Sequence, residues 1–266
     1  MTAVMTAVLT ERNVCDPDSS TASDVTRRAL RPRKGPPQHS VGFNNHILAQ
    51  LPADDREALL AGAEYTALPV GHTFARVGDL ISRAYFPDTG VISMVSEMTT
   101  GHQVAVATVG AEGAIGVWAL FGVASYSHAL VVLVESSGFQ LPADRFRRVF
   151  QQSEALRRIT LTHVGSWMWE LATAAACNRV HSHRQRLARW LLITTDKAKQ
   201  QSLPVTHEVL AQMVGGPRHA VTVALNELRA RGAIAHLRGR IEILKRSVLV
   251  AQSCECYMAP ADRARP

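Results

Sequence analysis

The sequence predicts an α+β chain in which one long helix joins an N-terminal antiparallel β-roll to a C-terminal winged helix-turn-helix. Three observations carry this prediction. Short strand-like stretches punctuated by glycines recur about every ten residues between 65 and 141. Apolar residues then recur at steps of three and four from Glu154 to Val180. Finally, two short amphipathic stretches meet at a Gly-Gly-Pro turn and are followed by a hairpin pattern.

The order of these patterns divides the chain into five segments. Residues 1–40 are rich in Asp, Ser, Thr, Arg and Pro, and they have too few apolar groups to offset the entropy of ordering, so we expect a disordered tail. We assign residues 41–150 to the roll, 151–181 to the long helix and 182–252 to the winged helix-turn-helix. Residues 253–266 are expected to be a second loose tail.

The long helix carries an apolar seam that we predict to be a dimer interface. A helix lying between two domains has little of its own chain left to cover such a seam, so a second copy of the chain is the simple partner. The alternative is a helix buried against the roll of the same chain. The predicted seam residues are Val164, Trp167, Met168, Leu171 and Ala175.

The helix-turn-helix pattern lies between Pro204 and Leu228. Thr206 is the expected N-cap of the first helix, whose buried face begins at Val209 and Leu210. Gly215-Gly216-Pro217 ends that helix and starts the second. In a DNA-binding protein the outward residues near the start of the second helix contact base edges, and here these are Arg218, His219 and Thr222. An ordinary helical hairpin is the alternative interpretation.

The charge of the chain is concentrated around this motif. From His181 to Val250 there are 12 Lys and Arg against 4 Asp and Glu, a net charge of +8, whereas residues 40–150 have a net charge of −4. A hairpin pattern follows the motif, with the basic tip Arg238-Gly239-Arg240. A basic module attached to a neutral or acidic one is typical of proteins that bind a polyanion.

Other classes of protein find little support. The four cysteines (Cys15, Cys177, Cys254 and Cys256) are too few and scattered for a disulfide framework. The pair Cys254 and Cys256 lacks a second pair of ligands, so we predict no metal site. No apolar run approaches the ~18 residues of a membrane span, and the N-terminus lacks a signal-peptide pattern, so we expect a cytoplasmic protein without membrane contact.

No catalytic residues are predicted. The glycines from Gly110 to Gly116 have the wrong spacing for a dinucleotide-binding loop. The stretch His163-Val-Gly-Ser166-Trp lacks the second half of a nucleophile elbow. We therefore expect a protein that is not an enzyme.

The chain resembles the bacterial catabolite-activator/Fnr superfamily of transcription regulators. The resemblance is carried by RLARWLL at 186–192, by the stretch at 206–234, and by RGRIEIL at 238–244. In the N-terminal half, PVGHT at 69–73 and the stretches at 86–95 and 109–122 are similar to the β-roll of that family.

The resemblance implies a dimeric regulator whose second motif helix enters the major groove of double-stranded DNA. It implies that Arg218 contacts guanine or a phosphate, since the arginine fork matches the two acceptors of guanine. His219 stands where the family often has Glu or Ser, and the third reading position falls at Thr222 or Val223. Further members of the predicted DNA-binding set are Thr206, Arg238 and Arg240. RNA polymerase is a candidate further partner.

The resemblance also implies a sensor domain like the cyclic-nucleotide-binding domain, but the ligand residues differ. Val117 follows Gly116 where the family's cyclic-nucleotide binders have Glu, and Ser127-His128 stands where they have Arg-Ser. Because a phosphate without arginine lacks its strongest partner, we predict no binding of cyclic AMP and an unknown effector. The predicted ligand pocket consists of the four residues at these positions, Gly116, Val117, Ser127 and His128.

No other cofactor is supported. Cys15 alone does not match the clustered N-terminal cysteines of the family's iron–sulfur members. His72, His102 and His128 are the roll histidines that a haem site would use, but they have no supporting signature. The alternative function is a sensor module that acts through a protein partner rather than through DNA.

Overall fold

A computed structural model describes residues 43–99, 103–237 and 239–257 of the chain. The predicted N-terminal tail, Cys15, His102, Arg238 and residues 258–266 lie outside the described residues. The order of the elements, from roll to long helix to helix-turn-helix and hairpin, confirms the predicted α+β class.

The roll consists of two antiparallel sheets. One sheet has the strand order β1-β7-β3 and the other β2-β6-β4-β5. The strands are β1 (Glu64–Leu68), β2 (Thr73–Ala75), β3 (Arg83–Pro87), β4 (Val91–Glu97), β5 (Gln103–Val109), β6 (Ala129–Val134) and β7 (Ser136–Pro142).

Helices precede the roll, pack against one end of it and follow it in the chain. Among the described residues they are α1 (His46–Gln50), α2 (Ala53–Leu60), a 3-10 helix (Val117–Phe121), α3 (Ala143–Gln152), the long helix α4 (Glu154–Val180) and α5 (His183–Ala198). The bounds of α4 agree with the predicted helix. None of the described helices is both long and apolar enough to cross a bilayer.

The C-terminal part contains the predicted winged helix-turn-helix and three elements that the sequence did not predict. The motif helices are α6 (His207–Val214) and α7 (Arg218–Ala230), and the wing is the hairpin of β9 (Ile234–Leu237) and β10 (Arg240–Ile243). The additional elements are β8 (Ser202–Leu203), which pairs with β10, the helix α8 (Arg246–Gln252) and a 3-10 helix (Glu255–Tyr257).

Central residues of the two sheets hold the roll together. Phe139 of β7 lies opposite Tyr65 of β1 on one side and opposite Phe86 of β3 on the other. Every residue of β6 is buried, which explains its run of consecutive apolar side chains. Phe146 of α3 packs on Phe86, with ring centroids 5.2 Å apart, so α3 closes one end of the core.

The roll and the C-terminal part share a hydrophobic cluster. Val91, Leu133 and Val134 of the roll belong to the same cluster as Leu191 and Leu210. Ser93 of β4 also donates a hydrogen bond to the thioether of Met213, at 3.5 Å. The face of the sheet that carries these residues is therefore covered by α5 and α6.

Two caps in succession produce the bend between α4 and α5. Helix α4 ends at His181, which has an extended backbone, and Ser182 immediately caps α5. The Ser182 side chain accepts from the backbone of Gln185, while the Gln185 side chain accepts from the Ser182 N–H at 3.1 Å. The chain therefore changes direction within two residues.

The prediction of a loose tail from residue 253 is wrong for its first part. Cys254 and Cys256 are buried, and Tyr257 donates a hydrogen bond to Asp196 at 2.8 Å. The Sγ atoms of Cys254 and Cys177 lie 3.6 Å apart. The error arose because this short segment is held in place by contacts with α4 and α5, which lie more than 60 residues earlier in the chain. No local sequence pattern indicates such contacts.

Lys197 joins three separate parts of the fold. Its Nζ lies 3.1 Å from Glu112 of the roll and 3.1 Å from Glu170 of α4, and it donates to the carbonyl of Thr108 at 2.8 Å. Although burial by itself raises the pKa of Glu112, the Lys197 ammonium holds that pKa below its usual range. Burial likewise lowers the pKa of Lys197, but the two carboxylates raise it above its ordinary value.

Removing the Lys197 charge should destabilise the fold. We expect Lys197→Met to lower the free energy of unfolding by roughly 3 kcal/mol, because two carboxylates remain partly buried without a counter-charge. Urea unfolding measured by circular dichroism tests this. Lys199→Met, at an exposed position two residues later, is the matched control and should change the free energy by less than about 0.5 kcal/mol.

The effect of Lys197→Met should depend on pH. A carboxyl with a lowered folded-state pKa stabilises the fold above its unfolded pKa and loses this contribution as the pH falls through the folded pKa. We therefore expect the difference between wild type and Lys197→Met to be largest near neutral pH and to shrink in acid. A difference that stays constant from neutral to acidic pH would contradict the role assigned to Glu112.

Candidate nucleic-acid interface and sensor region

Helix α7 is held by the packing of α6 across the glycine turn. Thr206 is the N-cap of α6, as predicted, and its hydroxyl accepts from the N–H of Val209 at 3.3 Å. Gly215 ends α6 with φ of 67°, the left-handed conformation that glycine adopts without strain. The buried faces of the two helices are formed by Val209, Leu210, Met213, Val214, Val221, Ala224, Leu225 and Leu228.

The turn also packs against α5. A Cβ atom on Gly216 would lie 2.5 Å from the ring of His183, so a larger residue would require this ring to move. Arg186, which is 9% exposed, donates to the carbonyl of Gly215 at 2.8 Å and to the carbonyl of Asn178 at 2.9 Å. One guanidinium thus connects the last turn of α4 with the motif turn.

The structure brings the predicted reading residues onto one outward surface of α7. Arg218 and His219 are exposed in its first turn, and Val223 is 55% exposed one turn later. Thr222 is half-buried, and its hydroxyl donates to the Arg218 carbonyl at 3.0 Å. Arg218, His219 and Val223 therefore point away from the core without a buried role.

The wing lies beside this surface. Arg240 is exposed at the start of β10, and Gly239 occupies the turn with φ of 72°. Arg238, the other predicted basic residue of the tip, lies outside the described residues. The role of these residues in binding DNA remains our prediction.

Two histidines at this surface were missed by the sequence analysis. His207 begins α6 and His236 lies in β9, and their ring centroids are 4.5 Å apart. The Nδ1 atom of His207 is 3.4 Å from the hydroxyl of Thr222. Burial lowers the pKa of His207, and the nearby His236 and Arg218 lower it further. No local pattern signals this pair, because 28 positions separate its members and only the fold of the wing brings them together.

The predicted sensor residues lie around the first 3-10 helix. Gly116 precedes that helix with φ of 87°, and a Cβ atom there would lie 2.6 Å from the carbonyl oxygen of Arg83. Val117 is 1% exposed, so the position where a carboxylate was sought is part of the core. Ser127 is exposed, and its hydroxyl is 2.8 Å from the Nδ1 of His128. That these four residues form a ligand pocket remains a prediction.

The structure has a cavity in another region. A cavity of about 230 Å³ lies between β5, α4, α5 and α6. Its lining combines Val106 of the roll, Glu170 of α4, and Arg186 and Trp190 of α5. None of the four predicted pocket residues lines this cavity.

The predicted dimer seam requires correction at Trp167. This side chain is 8% exposed, and its ring packs at 5.0 Å, edge to face, on Trp118 of the 3-10 helix of the same chain. Val164 and Leu171 are half-buried, and only Met168 and Ala175 of the predicted seam are exposed. Trp167 was therefore assigned to the wrong partner, because the roll of the same chain covers it.

The exposed face of α4 carries an apolar stripe that shares only Met168 and Ala175 with the predicted seam. Leu161 is 46%, Met168 64% and Trp169 53% exposed. Small residues continue the stripe at Ala172, Ala175 and Ala176. At 100° per residue, this stripe lies about a quarter turn from the centre of the predicted seam.

Two family models match this chain. A model described as the Crp-like helix-turn-helix domain matches residues 185–251, and a model of the cyclic nucleotide-binding domain matches residues 66–153. The two matches together cover more than half of the chain. A search of curated proteins found no match.

Solved structures share the fold. A transcriptional regulator of the CRP family from Thermus thermophilus is 20% identical, with a TM-score of 0.62, and the match covers 71% of this chain and 96% of that one. The c-di-GMP responsive global regulator CLP of Xanthomonas campestris is 17% identical, with a TM-score of 0.61 and coverage of 73% and 100%. FixK2 of Bradyrhizobium japonicum is 13% identical, with a TM-score of 0.62 and coverage of 72% and 98%.

Proposed function

We propose that this chain, which belongs to the Crp/Fnr superfamily of DNA-binding transcription regulators, recognises a specific DNA sequence as a homodimer, with a roll that does not bind cyclic AMP. RNA polymerase is a candidate partner of the DNA-bound dimer. The observation that carries the proposal is the outward surface of α7, where Arg218, His219 and Val223 are exposed beside the basic wing.

The chemistry of this surface suits recognition of both bases and backbone. Arg218 lies at the start of α7, where side chains of a helix in the major groove contact base edges. Its guanidinium is able to donate two hydrogen bonds to guanine. A contact between Arg240 in the wing and a DNA phosphate would fix the position of α7 on the duplex. The excess of basic side chains in the C-terminal third supplies attraction that does not depend on sequence.

Arg218→Ala tests the reading role. Starting from a site selected from a random DNA pool, we expect a loss of roughly 1–3 kcal/mol in binding and relaxed preference at one base position. Fluorescence anisotropy at several salt concentrations measures both effects. Arg229→Ala, an exposed arginine in the last turn of the same helix, is the matched control and should retain the base preference.

The same measurement separates the alternatives. An equal loss on the selected site and on random duplex would make Arg218 a phosphate contact. If the wild-type chain fails to bind any duplex at low salt, the DNA-binding proposal fails, and a sensor that acts through a protein partner becomes the better explanation.

The dimer is proposed to form along the exposed stripe of α4. Met168 and Trp169 offer large apolar surfaces, while the small side chains of Ala172, Ala175 and Ala176 allow two helices to approach closely. A symmetric dimer would place two copies of α7 on successive half-sites of a DNA duplex.

Met168→Glu should therefore convert dimers into monomers, because the charge would be buried without a partner at the interface. Sedimentation velocity measures the oligomeric state. Ser166→Glu introduces the same charge on an exposed position about 160° around the helix and is the matched control. An unchanged dimer for Met168→Glu would place the interface elsewhere.

The sensor proposal is tested with cyclic AMP itself. A ligand at one hundred times its dissociation constant stabilises the folded state by about 2.7 kcal/mol, which raises the midpoint of thermal unfolding. We expect millimolar cyclic AMP to leave this midpoint unchanged, because Val117 and Ser127 supply neither a carboxylate nor a guanidinium. A rise that saturates with cyclic AMP concentration would contradict this part of the proposal.

A further inference from the structure

We infer that Cys177, His181, Cys254 and Cys256 form a four-ligand zinc site that fastens the C-terminal 3-10 helix to the end of α4. This inference does not depend on the proposed DNA target or effector. It replaces the sequence-based expectation of no metal site, which rested on the lack of a second pair of ligands near Cys254 and Cys256.

The fold supplies that second pair. Cys177 lies in the last turn of α4, and His181, the C-cap, donates its backbone N–H to the Cys177 carbonyl at 3.1 Å, so the two residues lie together at the end of the helix. Cys254 and Cys256 come from the segment after α8, and all three cysteines are buried. A pair on a helix and a C-x-C pair from a distant segment therefore meet at one point.

The distances suit tetrahedral coordination. The four ligand atoms all lie within 4.8 Å of one another. The Sγ atoms of Cys177 and Cys254 are 3.6 Å apart, and the Sγ of Cys256 is 3.7 Å from the Nδ1 of His181. Zinc bonds of ~2.3 Å to sulfur and ~2.0 Å to nitrogen give tetrahedral edges of roughly 3.5–3.8 Å.

Glu255 holds the histidine in the orientation that such a site needs. Its Oε1 lies 3.2 Å from the Nε2 of His181, while the other ring nitrogen faces the cysteines. Zinc-bound histidines usually donate their second N–H to a carboxylate or carbonyl, which orients the ring and makes the metal-facing nitrogen more basic. The residue between the two cysteines thus supports the fourth ligand.

The ligand set selects the metal. Three thiolates and one imidazole are soft or intermediate ligands, which favour zinc over magnesium or calcium. The protein fills all four positions, as in structural zinc sites. Zinc with three thiolates carries one net negative charge, and Arg189, whose Nε donates to the Cys256 carbonyl at 3.4 Å, lies beside it.

The position of the site gives it a structural consequence. His181 directly precedes Ser182, the cap of α5, and Arg189 belongs to α5 itself. A metal held here fixes the bend between the long helix and the helix that carries the motif, and it anchors the end of the winged domain to the same bend. Metal binding then contributes directly to the stability of this joint.

The first experiment measures metal in the full chain, purified under reducing conditions without chelator. Inductively coupled plasma mass spectrometry should find one zinc per chain. Cys177→Ser and Cys254→Ser should each lose the zinc, whereas Cys15→Ser, at the remaining cysteine of the sequence, should keep it. Loss of zinc in Cys15→Ser would overturn the assigned ligand set.

The second experiment remains informative if the serine variants fold poorly. Cobalt added to wild-type chain stripped of zinc should produce the visible and near-ultraviolet absorption of a tetrahedral cobalt–thiolate site, and zinc should abolish it. Glu255→Gln keeps all four ligands and should bind zinc ten- to a hundredfold more weakly with the same cobalt spectrum.

Two results would overturn the inference. One is a zinc-free protein that shows no cobalt–thiolate absorption on titration. The other is a disulfide between Cys177 and Cys254 in the freshly isolated chain, found by alkylation and mass spectrometry, because the same sulfurs would then be unable to bind a metal.

Discussion

Lys197 places one ammonium group between two carboxylates that come from different parts of the chain, and the arrangement of the whole molecule depends on it. Glu112 belongs to the roll, Glu170 to the long helix and Lys197 to α5. Charges that are largely removed from water are stabilised by pairing, so moving any one of the three segments away alone would be costly. The pairing therefore fixes where α5 lies on the roll, and α5 in turn positions the helix-turn-helix.

The same helix carries the second polar joint. Arg186 is 11 positions before Lys197 in α5, and it bonds both to the last turn of α4 and to the motif turn at Gly215. A change in the roll that displaced Glu112 would thus act on α5, and α5 would pass the displacement to the turn that sets α7. The cysteine cluster lies beside the start of this helix, where the proposed zinc would restrain the bend. The roll, the long helix and the helix-turn-helix meet at α5 through charges and hydrogen bonds as well as through apolar contact.

Local patterns predicted much of this molecule correctly. The periodicity from Glu154 to Val180 gave the long helix, and Thr206 with Gly215 marked the two ends of α6, because capping and left-handed turns depend on residues close in sequence. The outward placement of Arg218 and His219 followed from the same periodicity. The seam failed at Trp167, since a helix with apolar residues on more than one face does not reveal which face meets its own roll. The contact with Trp118 decides that question.

By itself, the sequence determined the class of the fold, the order and limits of its main helices, and the surface of α7 that faces outward. These depend on spacing and turn chemistry within a few residues. Only the tertiary structure decided which stripe of α4 is exposed, that Lys197 neutralises Glu112 and Glu170, and that two cysteines near the C-terminus meet Cys177 and His181. The physical reason is that these interactions join side chains separated by tens of residues, and their distances follow from packing rather than from any local pattern.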